Sequence, residues 1–572
     1  MKKRIPSKTS NFADLIQENG YYVDKTAFIK QLEAISDKYL FYLRPRRFGK
    51  SLLVSMLEHY YGIQYKESFS TLFGNYYIGK EENTTSLRNR YYILSLNFSG
   101  IMTEVEDSIY SNFSKEVSTQ VQKFLEIYKL FPNEKNKEIL KETGAIDLLR
   151  SFFTAVSTLP REVKIFILID EYDHFTNELF AFKPGHFKEI VSQNGWVRKF
   201  YEVIKRFTGE GIIDRFFATG VTPVTLDSMT SGFNIARDIT TDPFFHNMTG
   251  FTENEVVEVI NGTLNDNLRF DLDILIEDIR SWYNGSKFSV KADQKLYNPQ
   301  LVLNFLGFFD AHSEYPVSMY DPSVSSDYTK IRKQLELLDT SESDEILREI
   351  VENEKIQGGL TAQFNFEKTF TRTELISFLF YNGMLTIHSG EGKIIDYVVP
   401  NYVIKTMYWD LIRERFLINE IGIFKETDIL EIFKEMRFEG KVNKLMAYLN
   451  ELLKKIVSNR DLIRFTEANL KMLMLPVLSF SDIYKINSEI EINRKYLDLL
   501  LTLQPEYKGR FSFLFELKYV KKSEEVRYEE IKKTGQSQLK NYLKSNGLHK
   551  NSELKAFLII FLNDEGEAIE VE

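Results

Sequence analysis

Cysteine is missing from all 572 residues, so disulfides, thiolate metal sites and cysteine nucleophiles are excluded, which suits a reducing interior. An uninterrupted apolar stretch of about 20 residues, long enough to span a bilayer, is also missing. Basic Met1-Lys2-Lys3-Arg4-Ile5-Pro6 is followed by no apolar core, so no secretory signal is expected and the chain reads as cytoplasmic, with no membrane partner. The seven histidines form no HExxH-type pattern. Positive charge is in short supply overall: 73 Lys and Arg against 82 Asp and Glu give −9, which argues against a surface that coats nucleic acid or lipid, though not against a local basic groove. No repeat or low-complexity linker stands out.

What is present is a large, aromatic-rich globular chain, 43% hydrophobic and 14% Phe, Tyr and Trp. Its length exceeds one hydrophobic core and predicts two to four domains. Apolar runs at 38–42, 91–97, 164–169 and 215–219 read as strands separated by amphipathic helices, the pattern of a parallel sheet covered on both faces. From about Gly250 the chain turns helical, with Thr252 and Glu255 placed as a capping box. A helix at 371–379 and two strands at 384–388 and 393–399, joined by a turn at 389–392, suggest a winged helix. Beyond about Thr427, two helical stretches precede strands at 483–492, 496–503 and 510–517, a lysine-rich helix at 528–543 and a last strand at 554–561. The expected division is 1–245, 246–425 and 426–572.

Between the first strand and the next helix lies Arg44-Pro45-Arg46-Arg47-Phe48-Gly49-Lys50-Ser51. A loop ending at a helix N-terminus offers backbone N–H groups to phosphates, Lys50 can reach the outer phosphates, and the Ser51 hydroxyl can ligate Mg²⁺. Arg44 stands where the usual phosphate loop has its first glycine. A second element supports the reading, because the buried-strand sequence 165–169 ends in Asp170-Glu171-Tyr172-Asp173. Acids at a strand's C-terminal end suit phosphoryl transfer: Asp170 for Mg²⁺ and Glu171 to orient or activate water. Thr219, before Gly220, is either a sensor of the terminal phosphate or a turn residue.

Near the other end, Glu516-Leu517-Lys518 closes an apolar strand, and alternation puts Glu516 and Lys518 on one face. With Asp498 on the preceding strand, the set suits Mg²⁺-assisted phosphodiester hydrolysis, with Asp498 and Glu516 on the metal and Lys518 on water. A cross-strand ion pair is the alternative. Residues 531–550 hold five lysines and no acid, a face that either follows a phosphate backbone or is simply solvated.

In order along the chain, Tyr22-Val23-Asp24-Lys25-Thr26, the 44–51 loop, Leu168-Ile169-Asp170-Glu171-Tyr172-Asp173 and Thr219-Gly220-Val221-Thr222 resemble the AAA-ATPase-like family often fused to a PD-(D/E)XK nuclease-like domain. Asp242-Pro243, Gly250-Phe251-Thr252, Tyr283-Asn284-Gly285 and Tyr297-Asn298-Pro299 extend the resemblance over nearly the whole chain. In that family an arginine in place of the first glycine is usual. The resemblance implies a multidomain α/β fold: a P-loop ATPase with a parallel sheet, a helical and winged-helix middle, and a small α/β restriction-endonuclease-like C-terminal domain. It implies ATP and Mg²⁺ as cofactors, with Arg44, Arg46, Arg47, Phe48, Gly49, Lys50, Ser51, Asp170 and Thr219 at the nucleotide. In the nuclease-like part it implies Glu489, Asp498, Glu516, Lys518 and Gln538. The segment Asn493-Arg494-Lys495-Tyr496-Leu497-Asp498 lacks the glycine common there, which bears on substrate access. Arg46, Arg47 and Arg237 are candidates for phosphate contacts or for a neighbouring subunit in a homo-oligomer. The expected function is ATP hydrolysis coupled to cleavage of nucleic acid, DNA ahead of RNA. The rivals are a nucleotide-regulated interaction switch with a non-catalytic nuclease-like module, and a structural scaffold.

Overall fold

Apolar runs of the sequence become strands in the computed structural model, which describes residues 2–6, 9–103, 108–182, 195–223, 233–316, 318–319, 340–362, 364, 370–414, 417–418, 425–457, 465–492, 495–504, 507–544 and 553–572. They group into two compact units, Met1–Ile346 with Lys355–Val403, and Leu347–Glu354 with Ile404–Glu572.

The first unit is built on strands β1 (Tyr39–Leu43), β2 (Tyr92–Asn97), β3 (Ile165–Asp170), β4 (Ile213–Gly220) and the short β5 (Arg237–Asp238), in the order β2-β3-β4-β1-β5. Every pairing is parallel. β3 is buried along its whole length, which is why it reads as a continuous apolar run rather than an alternation. Successive side chains still part to opposite faces: Leu40, Tyr42, Phe166, Leu168 and Phe217 join the core under helix Lys50–Tyr61, while Phe41 and Phe216 meet Tyr172, Tyr201 and Phe233 on the other side.

The rest of this unit is mainly helical. Helix Glu253–Thr263 starts with the expected capping box, Thr252 with Glu255, and helix Arg372–Tyr381 starts with a second, Thr371 with Glu374. The strands after it, β7 (Thr386–Glu391) and β8 (Ile394–Val398), meet at a tighter turn than the sequence suggests, with Gly392 at φ +62°. Residues 389–391 stay in the ladder because Gly392 alone supplies the left-handed backbone a short turn needs. A third strand, β6 (Lys355–Gly358), pairs antiparallel with β8 and was not legible, since only Ile356 in it is buried.

The second unit holds helices Glu426–Glu439, Asn443–Val457 and Glu467–Leu478, one more than the sequence suggests, and a sheet of β9 (Tyr484–Ile492), β10 (Lys495–Leu503), β11 (Phe511–Val520), β12 (Glu553–Leu562) and β13 (Glu565–Glu570). The order is β13-β12-β11-β10-β9; only β11 and β12 run parallel, and helix Tyr528–Leu543 makes their crossover. That helix sits close to the sheet at Gly535, where a Cβ would fall 2.6 Å from Leu558. β13, Glu-Gly-Glu-Ala-Ile-Glu, escapes the sequence reading because its acids hide the strand pattern on an exposed edge.

Candidate functional site

The 44–51 loop leaves the C-terminal end of β1 and enters helix Lys50–Tyr61 through Gly49, at φ +87°, a left-handed conformation that glycine adopts without strain. The Lys50 ammonium is buried and donates to the Arg44 and Pro45 carbonyls at 2.9 and 3.0 Å. Burial lowers its pKa, against the opposing charges of Glu171, Asp170 and Asp173. Arg46, Arg47, Phe48, Gly49, Lys50 and Ser51 line a cavity of about 410 Å³, together with Glu171 and His174. Leu15, Tyr21, Tyr22, Val23, Met248 and Phe251 also line it and give it an apolar and aromatic part.

Asp170 ends β3 beside this loop. It accepts hydrogen bonds from the Thr219 hydroxyl at 2.8 Å and from the Ser51 side chain. Burial raises its pKa, and these two donors oppose the rise. Thr219 is fully buried at the end of β4, so the structure brings Ser51, Asp170 and Thr219 into one network. Glu171 follows at φ +51°, with its carboxylate 2.9 Å from His174 Nδ1. Burial would raise its pKa, but the hydrogen bond and charge of His174, with Lys50 and Arg46, bring it below the usual glutamate value. Burial likewise disfavours a charged His174, yet Glu171 and Glu178 outweigh it and raise the imidazole to about 9.

Arg44, expected at the nucleotide, is turned inward instead. Its guanidinium donates to the carbonyls of Leu43, Thr240 and His246 at 2.8, 2.7 and 3.1 Å and lies between the Tyr42 and Phe288 rings. A long cation with several backbone acceptors and two aromatic faces is satisfied there, so it braces the loop from beneath. The Phe48 ring packs edge-on against Phe288. Arg237 sits on β5 in ion pairs with Asp37 and Asp242 and is not on the cavity wall.

Asp173, third after Asp170 in its motif, has a structural task that its sequence position does not reveal. It is buried and accepts from the Val221 and Thr222 N–H groups, the Thr222 hydroxyl and Asn177, so the two motifs it links are one structural joint. Gly220 completes the joint: a Cβ there would lie 2.4 Å from Asp173 Oδ1. His174 and the apolar wall were also missed, the wall because its residues are scattered in sequence.

In the second unit, Glu516 on β11 is 2% exposed and pairs with Lys518 at 2.9 Å, while Asp498 on β10 accepts the Leu517 N–H at 2.7 Å. Burial and the charge of Asp498 raise Glu516 to about 7, and burial also raises Asp498. Burial disfavours charged Lys518, but Glu516, Glu467 and Asp498 outweigh it and raise its pKa. Glu516 Oε2 is buried with no hydrogen-bond partner, an acceptor position a cation would fill. By register, Glu489 stands on β9 across from Asp498, flanked by the pairs Leu497 with Ile490 and Leu499 with Ser488. Its side chain lies outside the described residues, and among those described no group of three or more acidic, histidine or cysteine side chains forms a metal cluster. Gln538 is half-buried on helix Tyr528–Leu543, its Oε1 without a partner. Glu467, in the first turn of helix Glu467–Leu478 and 3.5 Å from Lys518, was missed, since an acid opening a helix is ordinary. Of the basic stretch, Lys532 pairs with Glu567, and 545–550 lie outside the described residues.

Residues 6–230 match the AAA-ATPase-like family model, described as a predicted AAA-ATPase, and residues 465–571 match the PD-(D/E)XK nuclease superfamily. The chain thus carries an AAA-ATPase-like domain and, towards its C-terminus, a PD-(D/E)XK nuclease-superfamily domain. It is also 27% identical over 312 residues to an uncharacterized protein in the vnfD 5′ region of Azotobacter chroococcum mcd 1, an alignment spanning 53% of this chain and about half, 52%, of that protein. No helix among the described residues is long and apolar enough to cross a membrane.

Proposed function

We propose that the first unit binds and hydrolyses ATP and that the second cleaves phosphodiester bonds of nucleic acid, DNA ahead of RNA. The observation that carries the first half is the meeting of Lys50, Ser51 and Asp170 at the mouth of a helix beside a cavity. Lys50 rests on two loop carbonyls and exchanges them for the outer phosphates, while the loop N–H groups take the rest of the chain of phosphates. The aromatic wall takes the base. Ser51 and Asp170, already joined by a hydrogen bond, are the residues that would hold Mg²⁺, which when bound neutralises charge on phosphate oxygens. Thr219 keeps Asp170 oriented, and Glu171 orients and deprotonates the attacking water. Lys50→Ala and, separately, Glu171→Gln are expected to reduce ATP hydrolysis by at least about a hundredfold; a fold-preserving Lys50→Ala with normal turnover would refute the site.

In the second unit Asp498 and Glu516 would hold Mg²⁺, which supplies Lewis acidity at the scissile phosphate. Lys518 positions the water, with Glu467 3.5 Å from it, and Glu489 and Gln538 are the further candidates that the family resemblance implies. Glu516→Gln and Lys518→Ala should each abolish Mg²⁺- or Mn²⁺-dependent cleavage of DNA and RNA probes. The second reading is a non-catalytic module steered by nucleotide, favoured by the fact that Lys518 already has Glu516 as its partner; ATP turnover without cleavage under either metal would select it. Helix Arg372–Tyr381 with β6, β7 and β8 fits a winged-helix contact module within the first unit.

A further inference from the structure

We infer that His174 is a latch on Glu171, holding the carboxylate in an ion pair that must open before Glu171 can act on water. The inference rests on the ATP-hydrolysis reading and adds a positioning residue to it.

The geometry is asymmetric. The Glu171 backbone is pinned, because Tyr172 N–H donates to the Thr219 carbonyl at 2.9 Å and Asp173 is locked into the Val221–Thr222 turn. His174 opens helix His174–Phe182 one turn later and lies on the same cavity wall as Glu171. Its ring sits between two carboxylates, Nδ1 2.9 Å from Glu171 and Nε2 3.5 Å from Glu178, and Glu178 is itself steadied by the Thr103 hydroxyl at 3.2 Å.

A ring flanked by two anions carries a proton on each nitrogen, and an imidazolium on a carboxylate makes that carboxylate a poorer base. The other charges acting on Glu171 are Lys50 and Arg46 from the phosphate loop and Asp170 beside it, the cations adding to the same effect. A nucleotide's terminal phosphate in the cavity is a competing anion for His174. Its arrival gives the ring another partner and releases the Glu171 carboxylate towards water. The release stays partial while the ring keeps its proton, so the latch still limits turnover with nucleotide bound.

The test is steady-state ATP hydrolysis by the full-length chain from about pH 6 to about pH 10. The wild type should accelerate as pH rises through about 9, where the ring loses its proton. His174→Gln should turn over several-fold faster at pH 7, with KM little changed and that acceleration gone. Glu178→Gln, which leaves the His174–Glu171 pair in place but removes one of its supports, should move the acceleration to lower pH, a shift that a merely structural role would not produce. A His174→Gln enzyme with equal or lower kcat and an unaltered pH profile overturns the latch, and so does a Glu178→Gln profile that superimposes on wild type, should His174→Gln fail to fold. Retained hydrolysis in Glu171→Gln would instead remove the hydrolytic reading itself.

Discussion

Glu516 is in conflict with its surroundings, and the conflict has a pH signature. Burial and Asp498 raise its carboxyl to about 7 from an ordinary value near 4.5. A raised folded-state pKa contributes stability that is fully present below about pH 4.5 and is lost as pH rises through about 7. Glu516→Gln, permanently neutral, should therefore raise the unfolding temperature in melts at pH 8 and leave it nearly unchanged at pH 4.5; equal shifts at both would show that the carboxylate is not strained. Asp173 is the opposite case, an acid whose buried partners all need it. Asp173→Ala leaves the Val221 and Thr222 N–H groups without an acceptor and should cost about 3 kcal/mol or more in denaturant titrations. Asp173→Asn, which keeps one acceptor oxygen, should cost less.

Single elements show how local and distant chemistry share one residue. Glu255 closes the capping box of helix Glu253–Thr263 and also holds buried Lys25 at 2.7 Å, a partner 230 residues away. Thr252→Ala loses only the cap and should cost about 1 kcal/mol. Glu255→Ala strands the Lys25 ammonium as well and should cost about 3 to 5 kcal/mol; similar costs for the two would mean that the ion pair adds nothing. The cap was legible because Thr-x-x-Glu is a local pattern. The ion pair was not, although Lys25 lies in a motif singled out by resemblance, because nothing near Lys25 names its partner. Strands followed the same rule: fully buried β3 was plain, while β6 and β13, short or edged with charge, needed their neighbours to be recognised.

For the whole molecule, chain order and packing order differ. Segment Leu347–Glu354 belongs to the second unit, although Lys355–Val403 after it returns to the first. Within the second unit Glu354 accepts from Lys405 at 2.8 Å and from the Ser488 hydroxyl, and Glu352 accepts from Asn469 at 3.3 Å. A fragment of residues 404–572 should accordingly melt at a lower temperature than the same fragment with a peptide of residues 340–354 added in trans. An unchanged melting temperature on adding the peptide would show that the segment contributes no stability.

The sequence by itself determined what depends on neighbours along the chain. The strand-loop-helix around Lys50, the acids ending β3, the Glu516-x-Lys518 spacing and the helix caps all follow from residues a few positions apart, where periodicity and side-chain chemistry act directly. Tertiary structure alone decided which groups meet across long separations: Arg44 withdrawn to backbone carbonyls, Asp173 bound to the turn after β4, Glu467 beside Lys518, and the aromatic residues that share a cavity with the phosphate loop. Such meetings are set by sheet order, register and burial. No local spacing encodes them, so a charged or aromatic residue in the sequence carries its chemistry but not its partner.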